Sequence, residues 1–246
     1  MDSNFYFFDF LAGLLYLVVG MRLHSLSRRT KARPEYLLAV HYLCTGGSYL
    51  LYELPAPFAQ TPEWILLVAR LIYTVGMVPL LFFTRETFRR DTSWATVLVW
   101  ANLLVLFSGA TLSALEGDTE GVVVTSIWFW FDWIGYTVPY VWITTEALLA
   151  YGAAQKRVRL GICEPEVANR FLLWALFGAL ATIAGALLIP LYIEYATTQI
   201  WPEWGNYASG GFEAASTLAL WFVFFPPAFY RRWINRAAHT GVVAKS

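Results

Sequence analysis

Seven apolar stretches, each long enough to cross a lipid bilayer as a helix, dominate this sequence. A spanning helix needs about 20 mainly apolar residues. The stretches cover approximately residues 5–22, 35–54, 63–84, 93–115, 122–152, 167–194 and 207–230. Because 58% of the residues are hydrophobic and only 14% are charged, a water-soluble fold could not bury this much apolar surface. The sequence therefore predicts an all-α membrane protein: one integral membrane domain over residues 1–246, folded as a bundle of seven transmembrane helices.

The basic residues predict the orientation of the bundle, because cytoplasmic connections collect Lys and Arg. They follow the first, third, fifth and seventh stretches: Arg22, Arg28, Arg29, Lys31, Arg33, Arg85, Arg89, Arg90, Lys156, Arg157, Arg159, Arg231, Arg232, Arg236 and Lys245. The connections on the other side carry none. We therefore expect the N-terminus outside and the C-terminus inside, with residues 231–246 as a short cytoplasmic tail.

Ionisable side chains inside the apolar stretches are the best indicators of function, because charge in the hydrocarbon core is costly. Arg70 is the only basic residue in the outer half, and it keeps its charge in proteins. Asp132 lies within reach of it, while other outer carboxylates compete for the same role: Asp9, Glu53 and Glu213. Two interpretations follow. The pair is a structural lock between helices, or it is the centre of an outward-facing pocket whose surplus carboxylates bind a cation or an amine.

The fifth stretch carries a stripe along one helix face, since a residue that is polar or breaks a helix recurs every seven positions. The stripe consists of Thr125, Asp132, Pro139 and Glu146. Tyr136 and Trp133 are expected to form the walls of the pocket. Proline can kink a membrane helix beside a cavity. Pro139 is therefore a predicted hinge, and the pair Pro226 and Pro227 marks either a hinge or the end of the seventh helix.

The second stretch places His41 at about the same inner depth as Glu146. A hydrogen bond between them would suit a proton or cation relay through His41, Asp132 and Glu146. Alternatively, His41 makes an ordinary hydrogen bond between helices. Both interpretations stay open from the sequence.

Several functional classes lack their defining residues. The last stretch, 207–230, has no lysine for the Schiff base of a microbial rhodopsin. The three histidines, His24, His41 and His239, are isolated, so no metal or haem site is expected. No nucleophile motif, phosphate-binding loop or dinucleotide fingerprint is present, so we expect no cofactor, and the balanced charge gives no reason to expect nucleic-acid binding. The sequence offers no support for an enzyme beyond a carboxylate-based site at Asp132.

Short segments resemble uncharacterised bacterial seven-transmembrane-helix proteins. The segments are Arg28-Arg29-Thr30, Pro34-Glu35-Tyr36-Leu37-Leu38, Gly46-Gly47 and Ala168-Asn169-Arg170-Phe171-Leu172-Leu173-Trp174. They cover about a tenth of the chain. The resemblance implies a location in the bacterial inner membrane and implies no activity.

These observations together favour a sensor or receptor-like membrane protein that binds a small or lipid-like ligand. The predicted ligand-binding residues are Arg70, Asp132, Tyr136, Trp133, Glu213 and Asp9. The basic inner face would contact anionic lipid or a cytoplasmic or membrane protein partner. The alternatives are a proton- or cation-coupled transporter and a scaffold subunit of a membrane complex.

Overall fold

The computed structural model describes residues 5–53, 62–119, 121–198, 200 and 202–234, and these residues form helices joined by short connections, with no strand among them. Side chains are described for these residues except 5–9, 53, 203 and 206. The described part contains eight helices: α1 (Phe5–Thr30), α2 (Arg33–Glu53), α3 (Glu63–Phe88), α4 (Ser93–Leu115), α5 (Ile127–Arg159), α6 (Pro165–Thr198), α7 (Glu203–Phe224) and α8 (Ala228–Ile234).

The seven long helices form a ring in which neighbours in the chain are neighbours in space. α1 packs on α2, α2 on α3, α4 on α5, α5 on α6 and α6 on α7, and α1 closes the ring against α7. α3 contacts both α4 and α5. The core between these helices is apolar and aromatic; its largest fully buried side chains include Tyr42, Phe177, Met77, Leu80 and Leu220.

Four of the helices are long and apolar enough to cross a membrane: α1 from Phe10, α3, α4 and α6. A fifth is added if α7 and α8 are counted as one bent span. α2 and α5 fall below the same hydropathy criterion, because Tyr and ionisable residues in both helices, and Trp residues in α5, lower mean hydropathy. The long apolar helices are compatible with an integral membrane protein.

The fifth and seventh predicted stretches extend beyond the helices that the structure shows. The fifth helix begins at Ile127 rather than at 122, so Thr125 lies in the preceding turn and is not part of the stripe. The seventh helix ends at Phe224, because Pro226 and Pro227 supply no backbone N–H to continue it. The chain then bends by 82° into α8. The proline pair therefore ends a helix, as one of the two sequence interpretations expected.

Most of the basic residues of the described part lie at one end of the ring. Arg33, at the start of α2, forms a 3.1 Å ion pair with Glu86 near the end of α3. At the start of α6, Asn169 exchanges hydrogen bonds of 3.0 and 3.2 Å with Tyr230 of α8. The Phe88 ring at the end of α3 lies 6.2 Å from the Phe171 ring near the start of α6. The three contacts bring the connections α1–α2 and α3–α4, and the region around α8, to the same end, which we call the basic end.

Candidate functional site

Arg70 is the centre of a buried polar cluster between α3, α4 and α5. It lies two turns into α3, and its residue surface is only 4% exposed. Its Nε and Nη2 atoms donate to Oδ2 of Asp132 at 3.1 and 2.6 Å. Nη2 also donates to Ser113 Oγ at 2.9 Å, and Nη1 donates to the Asp118 carbonyl oxygen at 2.6 Å. The ion pair that the sequence predicted between Arg70 and Asp132 is therefore present.

The connection between α4 and α5 covers this cluster. The carboxylate of Asp118 accepts backbone N–H groups from Gly121, Val122 and Val123 at 2.8 to 3.1 Å, which fixes the turn. Gly121 has φ +74°, and a Cβ placed on it would lie 3.0 Å from Cζ of Arg70. Glycine is required there for both reasons. The backbone of the turn thus lies directly on the guanidinium, and we call the turn around Asp118 and Gly121 the covering turn.

Asp132 has one oxygen that is fully used and one that is not. Oδ2 accepts both bonds from Arg70, whereas Oδ1 is buried and has no hydrogen-bond partner among the described residues. The Tyr136 hydroxyl lies close by, but it is 2.7 Å from Oγ1 of Thr74. Thr74 Oγ1 is also 2.8 Å from the Arg70 carbonyl oxygen, and when its proton is donated there, the Tyr136 hydroxyl donates to Thr74. With the Tyr136 hydroxyl directed to Thr74, Oδ1 is a buried acceptor without a donor in the part of the chain that the structure describes.

The cluster contains one guanidinium and two carboxylates, those of Asp132 and Asp118. Asp118 is a second buried carboxylate, but three backbone N–H groups and Ser113 Oγ surround its oxygens. Hydrogen bonds of this kind stabilise the ionised form without a counter-ion. Arg70 and Asp132 then balance each other. The unmet need at Oδ1 is therefore a hydrogen-bond donor, either neutral or cationic.

A column of aromatic side chains leads from this cluster into the core. The rings of Tyr136 and Tyr73 are 4.9 Å apart, and Tyr73 interacts with Tyr140. The Tyr140 ring lies 6.2 Å from His41, whose Nδ1 is 2.8 Å from the Gly76 carbonyl oxygen. Side chains of α2, α3 and α5 are thus in continuous contact between Asp132 and His41.

Two of the other predicted ligand-binding residues, Trp133 and Glu213, make their hydrogen bonds outside this cluster. Trp133 points to α6 and donates from Nε1 to the Gly185 carbonyl at 3.2 Å. Glu213 of α7 accepts a short hydrogen bond from Tyr49 of α2. The side chains of Asp9 and Glu53 lie outside the described residues. Of the six predicted ligand-binding residues, the structure brings together Arg70, Asp132 and Tyr136, and it separates Trp133 from them.

The hydrogen bond predicted between His41 and Glu146 is not formed. Glu146 instead accepts Nε of Arg89 on both oxygens, at 2.8 and 2.9 Å, and Nε1 of Trp142 at 3.2 Å. His41 is bonded to backbone, as the alternative interpretation expected. The predicted relay through His41, Asp132 and Glu146 therefore lacks the direct hydrogen bond between His41 and Glu146.

Pro139 lies within a continuous α5. The backbone hydrogen bond that this proline removes from α5 is replaced by a hydrogen bond from α4. A proline has no N–H for the carbonyl four residues earlier, which here belongs to Gly135. Nδ2 of Asn102 donates to that carbonyl at 3.0 Å from α4. Asn102 is 4% exposed, so the bond is buried. Pro139, the predicted hinge, is thus held by a neighbouring helix.

Sequence reasoning missed Ser113, Asp118, Gly121 and Asn102. The spacing Asp118-x-x-Gly121 is the signal that could have indicated a fixed turn, since Asp side chains bond to nearby backbone N–H groups. In the described part of the chain, no three His, Cys, Asp or Glu side chains are placed to hold a metal ion.

Comparison of the chain with protein-family models, with curated proteins and with solved structures finds no match. The resemblance to bacterial seven-helix proteins therefore stays a prediction.

Proposed function

We propose that this protein is a receptor-like membrane protein with seven spanning helices, N-terminus outside, whose small ligand binds at Asp132. The helix order supports the number of spans. α2 packs between α1 and α3, and α5 between α4 and α6, all of which are long and apolar enough to cross a bilayer. A helix held between two spans must have a similar length and direction. The excess of Lys and Arg at the basic end supports a cytoplasmic position for that end.

The observation that carries the ligand site is the unpartnered Oδ1 of Asp132. A buried carboxylate oxygen without a donor is costly, and Asp132 is 4% exposed. A ligand with a hydroxyl or ammonium group would supply the missing hydrogen bond. We infer that such a ligand enters beneath the covering turn, next to Tyr136, in the outer half of the bundle.

The test is ligand-dependent stabilisation of the purified full chain. Thermal unfolding is followed with methylammonium, ethanolamine and glycerol as probes, because any molecule that binds only the folded state raises its stability. A probe at about 100 times its Kd contributes about 2.7 kcal/mol. We expect one probe to stabilise the parent and to have no effect on Asp132→Asn. Glu194→Gln, which changes an exposed carboxylate of α6, is the matched control and keeps the response.

Thr74→Val provides a second variant that preserves the ion pair. Without Oγ1 of Thr74, the Tyr136 hydroxyl is free to donate to Oδ1 of Asp132 and to compete with the ligand. We expect this variant to fold and to bind the probe about tenfold more weakly, which corresponds to about 1.4 kcal/mol. Stabilisation of Asp132→Asn equal to that of the parent, or no response of the parent to any probe, would contradict the proposal and favour a scaffold subunit.

A further inference from the structure

A second feature, at the basic end and far from Asp132, also points to a ligand. Where α1 turns into α2, a shallow surface cavity of about 440 Å³, wide open to solvent, is lined by His24, Arg28, Lys31, Arg33 and Tyr36, among others. No acidic side chain lines it. Arg33 is already paired with Glu86. Among the described residues, no carboxylate forms an ion pair with Arg28 or Lys31. We call this cavity the basic groove.

Lys31 occupies a backbone conformation that normally favours glycine. It follows the last residue of α1 with φ +55°, and its N–H donates to the Ser27 carbonyl at 2.8 Å. At the α5–α6 turn the chain uses glycine in the same conformation, at Gly161 with φ +72°. A lysine is strained at such a position. The backbone at position 31 thus favours glycine over lysine, and the lysine that is present brings a positive charge to the groove.

An apolar stripe on α1 leads directly to the groove. Leu14, Val18 and Met21 are 38%, 38% and 56% exposed and follow one another at helical spacing on one face. The same face continues through His24 to Arg28. An exposed apolar track that ends at unpaired cations matches a molecule with a long apolar chain and an anionic head.

We propose that the basic groove binds the phosphate headgroup of an anionic phospholipid, with one acyl chain lying along Leu14, Val18 and Met21. The proposal rests on the seven-span arrangement proposed above and is independent of the ligand site at Asp132. Arg28 and Lys31 provide the charge that distinguishes an anionic headgroup from a zwitterionic one. The apolar stripe distinguishes a lipid from a soluble phosphate.

The experiment measures lipid preference of the full chain in a neutral detergent. Dioleoyl phosphatidylglycerol and dioleoyl phosphatidylcholine are titrated separately, and binding is followed by thermal stabilisation and by native mass spectrometry. We expect the parent to bind phosphatidylglycerol at least about tenfold more tightly than phosphatidylcholine. The variant Arg28→Gln/Lys31→Gly should lose this preference. Lys156→Gln/Arg157→Gln removes the same charge from another connection of the basic end and should keep it.

Lys31→Gly alone separates recognition from folding. Glycine adopts a positive φ without strain. In neutral detergent this variant should therefore have an unfolding temperature equal to or higher than that of the parent. Its affinity for phosphatidylglycerol should nevertheless be lower than that of the parent. An unchanged preference in the groove variant, an equal loss in the control, or no preference in the parent would overturn the proposal. Competition by glycerol phosphate as strong as that by the lipid would indicate a soluble phosphate site instead and would also overturn it.

Discussion

Both hydrogen bonds from Arg70 to Asp132 go to a single carboxylate oxygen, Oδ2, and the second oxygen of Asp132 is left without a donor. This arrangement ties α3 to α5 and at the same time keeps an acceptor available. It differs from a bidentate ion pair, in which both oxygens are used. The pair is therefore both a structural contact and the proposed site of ligand binding, and these two roles can be measured separately.

The structural role predicts that removing one partner costs more than removing both. Asp132→Asn leaves the Arg70 guanidinium buried without a counter-charge, and we expect a loss of about 3 kcal/mol in the free energy of unfolding. Arg70→Gln/Asp132→Asn removes the charge imbalance and should recover part of that loss. A double-mutant cycle by denaturation in detergent measures the coupling. Additive effects of the two substitutions would show that the pair contributes no interaction energy.

The covering turn predicts a difference between two glycines of the same connection. Gly121→Ala places a Cβ 3.0 Å from Cζ of Arg70 and also strains a backbone with φ +74°. Gly117→Ala strains φ +91° but its Cβ would meet nothing within 4 Å. We expect about 1 kcal/mol of destabilisation from strain at Gly117 and at least about 1 kcal/mol more at Gly121 from the contact. Equal losses in thermal unfolding would mean that the turn does not rest on Arg70.

The interaction of Asn102 with the Gly135 carbonyl predicts a rescue. Asn102→Leu leaves that buried carbonyl without a donor, and we expect a loss of about 1 to 2 kcal/mol. Adding Pro139→Ala restores a backbone N–H that can reach Gly135 within α5, so the double variant should be more stable than Asn102→Leu alone. Ser108→Ala is the control, because its hydroxyl bonds only to carbonyls of its own helix. Denaturation of the four proteins decides; a double variant less stable than the single one contradicts this role of Asn102.

The contacts of Glu146 predict that this residue stabilises the fold and does not carry protons. Glu146→Gln removes the charge that holds Arg89, so the melting temperature should fall by more than in Glu86→Gln, whose partner Arg33 is 70% exposed. Proton flux into liposomes containing the protein, driven by a pH gradient, should be the same for the parent and Glu146→Gln. Flux in the parent that disappears in this variant would support the transporter alternative instead.

The sequence predicted those features that depend on scarcity or spacing. Arg70 is the only basic residue of the predicted outer half, so the carboxylates predicted there had one possible cationic partner, and Asp132 was within reach of it. Asp132, Pro139 and Glu146 were predicted to share a face of α5, and all three are buried. Periodicity reports which side of a helix a residue occupies, and this was enough for both inferences.

Features that depend on loops and on backbone acceptors could not be predicted in the same way. Arg89 was assigned to the cytoplasmic surface by its position after the third stretch, yet its side chain reaches Glu146 because long side chains at the end of a helix point back along it. His41 bonds to a carbonyl of Gly76, which no side-chain pattern reveals. The spacing of Asp118 and Gly121 could indicate a turn, but the contact of that turn with the Arg70 guanidinium is visible only in the structure.

The two ion pairs between α3 and α5 restrict how these helices move. Arg70 and Arg89 are separated by about 28 Å along α3, whereas Asp132 and Glu146 are separated by about 21 Å along α5, at 1.5 Å per residue. The two arginines are thus farther apart along the bundle than the two carboxylates. Each arginine side chain extends towards the middle of the bundle to reach its carboxylate. Axial sliding of α3 past α5 in either direction would stretch one of the pairs. A piston movement between these helices is thus opposed at both ends. A conformational change that passes from one end of the bundle to the other with both ion pairs intact requires the remaining helices to tilt or rotate around a rigid α3–α5 unit.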